Sequence, residues 1–202
     1  MVTKTQERTR RITMTALLAA LTVVLQVICT FIRFGPVSIT LALTPIIIGA
    51  AIYGVREGAL LGFVFSATVY VMGLMGLDGG FVQLMMSYSA VGTTIICLLK
   101  GTAAGAVAGV VFNALGKKQP TVGALVAGMA TPIVNTGLFA IATVLIFGDL
   151  LANLAAGAGA DPIPFLLTGM IGINFLVEFA VNTALGTTVA RIIDIYGKKY
   201  KR

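Results

Sequence analysis

Long uncharged runs alternate along the chain with short segments in which basic residues collect. The first run, residues 12–32, carries no charge over 21 residues, enough to cross a hydrocarbon core of ~30 Å as a helix. It is too long for a secretory signal and has no small-residue cleavage pattern after it, so it is expected to remain in the mature protein. The pattern predicts five further spans, at 37–53, 59–77, 91–115, 121–147 and 165–192. Pro36 is expected to open the second and Pro45 to kink it, and Pro132 is expected to kink the fifth. Residues 54–58 read as a tight turn holding Arg56 and Glu57, and Asp78 closes the third span. Residues 79–116 are interrupted only by Lys100, and one helix of that length would reach ~57 Å. The stretch is therefore divided into an outer loop or re-entrant segment at 79–90 and a span from Val91. Residues 148–164, with Asp149 and Asp161, form a second outer loop. The expectation is a single all-α membrane domain over 1–202, with six transmembrane helices and no convincing internal repeat.

Charge orients this arrangement. Inner segments would hold Lys4, Arg8, Arg10, Arg11, Arg56, Lys117, Lys118, Arg191, Lys198, Lys199, Lys201 and Arg202, 12 of the 14 basic residues. Arg33 alone would lie outside, with Lys100 inside the membrane. Both termini are then cytoplasmic. A composition 58% hydrophobic and 10% charged leaves no room for a soluble domain. The net charge of +7 sits at span ends, where it sets topology and meets anionic lipid, so nucleic acid is not an expected partner. There is no histidine, and the two cysteines, Cys29 and Cys97, fall in apolar spans without CxxC spacing. They read as small buried hydrophobes, which argues against metal, redox and enzyme readings alike. Neither a phosphate-binding GxxxxGK[ST] loop nor a dinucleotide fingerprint is present. The chain is expected to hold no cofactor and not to hydrolyse ATP.

Polar residues within the spans carry the chemistry. Lys100 and Glu178 fall near the expected midplane, where a charge costs several kcal/mol unless it is paired or faces a cavity. Asn174 and Asn182 flank Glu178 at four-residue spacing, making one polar stripe, and Asn135 with Thr136 follows Pro132. Two readings stand: Lys100 pairs with Glu178 while the asparagines join helices, or these groups line a site for a small polar solute whose carboxylate meets Lys100. Residues 83–89 (QLMMSYS) read as a lid, with Gln83 and Tyr88 offering hydrogen bonds. Tyr70 is a wall or interfacial residue, and Arg33 a weaker candidate at the outer end. Gly101, Gly105 and Gly109 repeat at four-residue spacing and signal close helix packing; Ala16 and Ala20, one turn apart with Ala19 beside them, do the same on the first span.

Size, six spans, cytoplasmic ends, a basic N-terminal flank and the Ala16/Ala20 surface together resemble the substrate-binding S-component of energy-coupling factor (ECF) vitamin transporters. Residues 131–136 (TPIVNT), 174–178 (NFLVE) and Asn182 are most similar to the pantothenate-type members. The resemblance implies a vitamin cavity near the outer face and a lid from an outer loop. It also implies toppling of the bundle in the cell membrane, a transmembrane coupling subunit docked on Ala16 and Ala20, and two cytoplasmic ATPases that use the ATP. On that reading Lys100, Asn135, Asn174, Glu178, Tyr88, Gln83 and Tyr70 bind substrate. Two alternatives remain: an S-component for folate, riboflavin, a nucleobase-like compound or another solute, and a stand-alone proton-coupled transporter using Glu178.

Overall fold

The computed structural model describes residues 4–34, 37–38, 40–116 and 118–200. Pro36, Lys117, Lys201 and Arg202 lie outside the described residues, as do the side chains of Arg33, Lys198 and Lys199. Among the described residues the regular structure is helical apart from one antiparallel ladder of two-residue strands. Its elements are α1 (Lys4–Thr30), β1 (Arg33–Phe34), β2 (Val37–Ser38), α2 (Leu43–Tyr53), α3 (Val55–Leu74), α4 (Phe81–Tyr88) and α5 (Ala90–Val111). They continue with α6 (Pro120–Ile146), α7 (Gly148–Gly157), α8 (Pro162–Pro164) and α9 (Gly172–Tyr200). Wider π-turns follow α5 at Phe112–Gly116 and α8 at Phe165–Met170.

Among the described residues five helices, α1, α3, α5 with its π-turn, α6 and α9 to Ile192, are long and apolar enough to cross a membrane, and the bent pair Gly148–Gly157 and Pro162–Met170 makes a sixth if it is one broken span. Their outward faces carry bare aliphatic groups such as Leu145, which is 78% exposed, as lipid-facing positions require. The expected second span at 37–53 is corrected. Only the 11 residues of α2 are helical, a length of ~16 Å, and Pro45 occupies its first turn. There the missing N–H removes no intrahelical bond, so the proline starts a helix instead of kinking one. Pro132 stands inside α6, which is helical from Pro120 to Ile146. The outer loop expected at 79–90 is the short helix α4, and the one at 148–164 contains α7, which meets the segment Pro162–Met170 at 90°. The last span begins at Gly172 instead of residue 165.

Glycines set the helix pairing. A Cβ on Gly105 would stand 2.0 Å from the Gly58 carbonyl oxygen, and one on Gly62 would stand 2.1 Å from that of Gly101. Gly109 packs on Val55 in the same way, so α3 and α5 run antiparallel with their backbones in contact, as small-residue seams allow. Gly128 against Asn182 and Gly186 against Leu125 join α6 to α9 in the same sense. Arg11 on α1 donates from Nε to the Glu57 carboxylate on the first turn of α3, at 2.7 Å. The start of α1, the start of α3 and the end of α5 therefore share one end of the bundle, where Arg8, Arg11, Arg56 and Lys118 also lie. At the other end α4, α7 and the second π-turn pack Met85, Phe147, Leu150, Leu151, Leu166 and Met170 into one apolar cap.

Candidate functional site

Because α2 is half the length of its neighbours, its start lies inside the bundle. A cavity at this level is lined by Gln26 from α1 and Thr40 from the segment before α2. Asp78 enters after α3, Lys100 from α5, Asn135 and Thr136 from α6, and Asn174 and Glu178 from α9. Apolar walls come from Val69, Cys97, Phe139, Ile171 and Phe175, and α4 closes the chamber with Phe81, Val82 and Met85. The cavity volume is about 70 Å³. That is room for a handful of waters, against ~300–1,000 Å³ for clefts that hold drug-sized ligands.

Among the described residues Lys100 makes no direct ion pair, although its charge acts on Glu178 across the chamber. Its Nζ stands 5.2 Å from the centroid of the Phe139 ring, a cation–π contact. Among the described residues the one ion pair joins Arg11 to Glu57. The paired-charge reading of Lys100 and Glu178 is therefore not realised, although both side chains line the same chamber. Glu178 is 4% exposed, and Thr40 donates to its carboxylate from both hydroxyl and backbone N–H. Asn174 Nδ2 donates to the Met170 carbonyl at 3.4 Å. Asn182, the third residue of the stripe, serves packing: its Nδ2 donates to the Glu178 carbonyl at 2.8 Å and its Oδ1 accepts from the Thr44 hydroxyl at 3.1 Å. This ties α9 to the first turn of α2, beside Thr40.

Three expected site residues lie away from the chamber, each engaged locally. Gln83 Nε2 donates to the Leu74 carbonyl at 2.9 Å, bracing α4 against the end of α3. The Tyr70 hydroxyl shares a 2.9 Å bond with that of Thr94. Tyr88 accepts from Asn153 Nδ2 at 3.0 Å, joining α4 to α7. Gln26, Thr40 and Asp78 were not anticipated as lining residues. For Gln26 a signal existed: with Thr22 and Thr30 it forms a polar stripe at four-residue spacing along α1, and all three are buried. Asp78 accepts from the Gly80 and Val82 backbone N–H groups at 3.0 and 2.9 Å, capping the start of α4. Cys29 and Cys97 are buried free thiols, and among the described residues no cluster of three acidic or thiol side chains is placed to hold a metal. Ala16 and Ala20 are exposed on α1, and Ala16 borders a groove between α1 and α3 that also holds Arg8, Ala19 and Leu60.

A helical bundle with lipid-type outer faces and a chamber lined by a lysine, a glutamate and three amides has the build of a multi-pass membrane protein with a polar interior. The profile of the family described as ECF transporter, substrate-specific component, matches residues 10–190. The chain belongs to this family, and is thus a substrate-specific membrane subunit of ECF transporters, a transport component and not an enzyme. No curated protein matches it.

Proposed function

We propose that this chain captures a B vitamin, pantothenate, for an ECF-type importer of the cell membrane. The observation that carries the reading is Lys100, a cation that makes no direct ion pair among the described residues and shares one chamber with Asn135, Asn174 and Glu178. A half-buried ammonium inside a membrane bundle is costly, and a ligand carboxylate would relieve that cost. Pantothenate supplies one carboxylate, an amide and two hydroxyls, a set that these side chains complement. The basic end of the bundle faces the cytoplasm by the positive-inside rule, so α4 and the apolar cap face outward, with the chamber beneath them. The exposed Ala16 and Ala20 offer a docking face for a transmembrane coupling subunit. ATP is used by two cytoplasmic ATPases, this chain holding no cofactor, and the docked bundle topples to release the vitamin inside.

The test is thermal unfolding of the purified chain against a panel of B vitamins and nucleobases. A ligand bound only by the folded state stabilises it by ~4 kcal/mol at a thousandfold excess over its dissociation constant. A shift with pantothenate is expected. A shift with folate or riboflavin instead keeps the capture role and replaces the substrate. No shift with any compound, from folded protein, refutes the vitamin reading and favours a proton-coupled carrier working through Glu178.

A further inference from the structure

Among the described residues, Gln26, Asn135 and Glu178 each bring to this chamber an acceptor atom without a donor. Gln26 Oε1, Asn135 Oδ1 and Glu178 Oε2 are buried and unbonded, on residues 1%, 4% and 4% exposed. Native proteins pair nearly all such atoms, because a bare buried acceptor costs about as much as a lost hydrogen bond. The Gln26 amide is not free to turn over and escape. The Thr30 hydroxyl gives its proton to the Gln26 backbone carbonyl at 2.8 Å. Toward the Gln26 side chain Thr30 Oγ1 can therefore only accept, and it takes Nε2 at 3.4 Å. The carbonyl end is thereby turned away from Thr30 and left without a donor. Glu178 is fixed in the same manner, with Thr40 donating to its carboxylate and Oε2 left over. Asn135 can present either edge of its amide, so it does not set polarity. The opposite chemistry stands at Lys100, three donors and no acceptor, over the Phe139 ring.

We infer that Gln26 is a specificity-determining residue: its carbonyl, together with the unused oxygen of Glu178, accepts from two O–H or N–H donors on the solute, away from the group that Lys100 takes. The inference rests on the solute-capture reading above and narrows it. The substrate class is an acid whose far end carries at least two donors, and a fatty or plain aliphatic acid of similar size is rejected. Rejection follows because such an acid would seal both acceptors in the chamber unpaired, the asymmetry that lets polar sites discriminate more sharply than apolar ones.

The experiment is equilibrium binding on the purified full chain with two probes, pantothenate and its counterpart in which both hydroxyls are replaced by hydrogen. The unmodified chain should prefer pantothenate by about 10- to 100-fold. Gln26→Met, similar in volume but without the acceptor, should weaken pantothenate by about 10-fold and leave the dideoxy acid unchanged or tighter; Gln26→Leu gives an independent second variant. A merely structural role for Gln26 would weaken both acids alike, and that outcome overturns the inference. Equal affinity of the unmodified chain for the two acids overturns it as well, while leaving the capture of pantothenate standing. Failure of the unmodified chain to bind either acid removes the pantothenate assignment and this inference together.

Discussion

Replacing Gly105 by alanine tests whether the glycine seam is what holds the chamber in shape. The added methyl would stand 2.0 Å from the Gly58 carbonyl oxygen and 2.7 Å from its carbon. Both are backbone atoms, so no rotamer change can yield. An ordinary carbon–oxygen approach is about 3.3 Å, which requires α3 and α5 to part by roughly 1.3 Å there. A gap of that size forfeits about half of each ~0.1–0.2 kcal/mol contact, so some 30 affected atom pairs cost about 2 kcal/mol. Overpacking costs of ~1–3 kcal/mol in protein cores agree. For a chain of this length the thermal midpoint should fall by about 4–8 °C. Affinity should fall too, because Lys100 precedes Gly101, whose N–H donates to Ser66 Oγ on α3 at 3.1 Å. Gly137→Ala supplies the control: a Cβ there meets nothing within 4 Å, and alanine gains up to ~1 kcal/mol in helix propensity. Thermal unfolding of the two variants in one detergent is the assay. Equal midpoints, or a less stable Gly137 variant, would refute the seam argument.

Lys100→Met should raise the dissociation constant for pantothenate by about 10- to 150-fold, the range for losing a charged hydrogen-bond donor. Its thermal midpoint without ligand should hold or rise, because no ion pair is broken; unaltered affinity in titration calorimetry would remove Lys100 from the site. Ala16→Phe and Ala20→Phe alter exposed positions, so folding should change by no more than ~0.5 kcal/mol. Pantothenate affinity should stay constant while co-purification with the coupling subunit is lost. Retained co-purification would exclude the docking face.

The long spans were legible because nothing but a membrane helix accounts for repeated uncharged runs of about twenty residues. Where the runs break is decided by backbone chemistry that hydropathy does not register. Ser89 divides α4 from α5: it is extended (φ −157°) and its hydroxyl accepts from the Gly92 N–H at 3.1 Å, a helix N-cap. Gly79 and Gly80 have positive φ, which ends the descent from α3 and starts α4. The apolar segment before Leu43 read as helix because a short hydrophobic run has no period that separates helix from extended chain. Within the candidate site, Lys100 and Glu178 declared themselves by their desolvation cost. Gln26 carries no charge, and its stripe with Thr22 and Thr30 reads equally well as helix glue. Tyr70, Gln83 and Tyr88 stand out in sequence for their hydrogen-bonding capacity, but in the fold they bond to Thr94, Leu74 and Asn153, outside the chamber lining.

The small chamber makes a kinetic prediction. About 70 Å³ cannot take up a vitamin, so a wall must move, and α4 is the wall with the fewest ties. It is eight residues long, joined through three positive-φ glycines, Gly76, Gly79 and Gly80, at one end and the extended Ser89 at the other. Its start is capped by Asp78, whose two carboxylate oxygens accept from Gly80 and Val82. Such a cap is worth about 0.5–2 kcal/mol. If α4 lifts from that end, Asp78→Ala should speed both association and dissociation of pantothenate by about 2- to 30-fold, with a smaller change in the dissociation constant. Asp78 also lines the chamber, so its charge could slow an anionic ligand by repulsion alone. Asp78→Asn separates the effects, because it removes the charge yet keeps an acceptor for the Gly80 N–H. Stopped-flow binding should show the alanine variant faster than the asparagine variant. Equal rates for the two would assign the effect to charge, and rates unchanged from the parent chain would mean that α4 is not the moving wall.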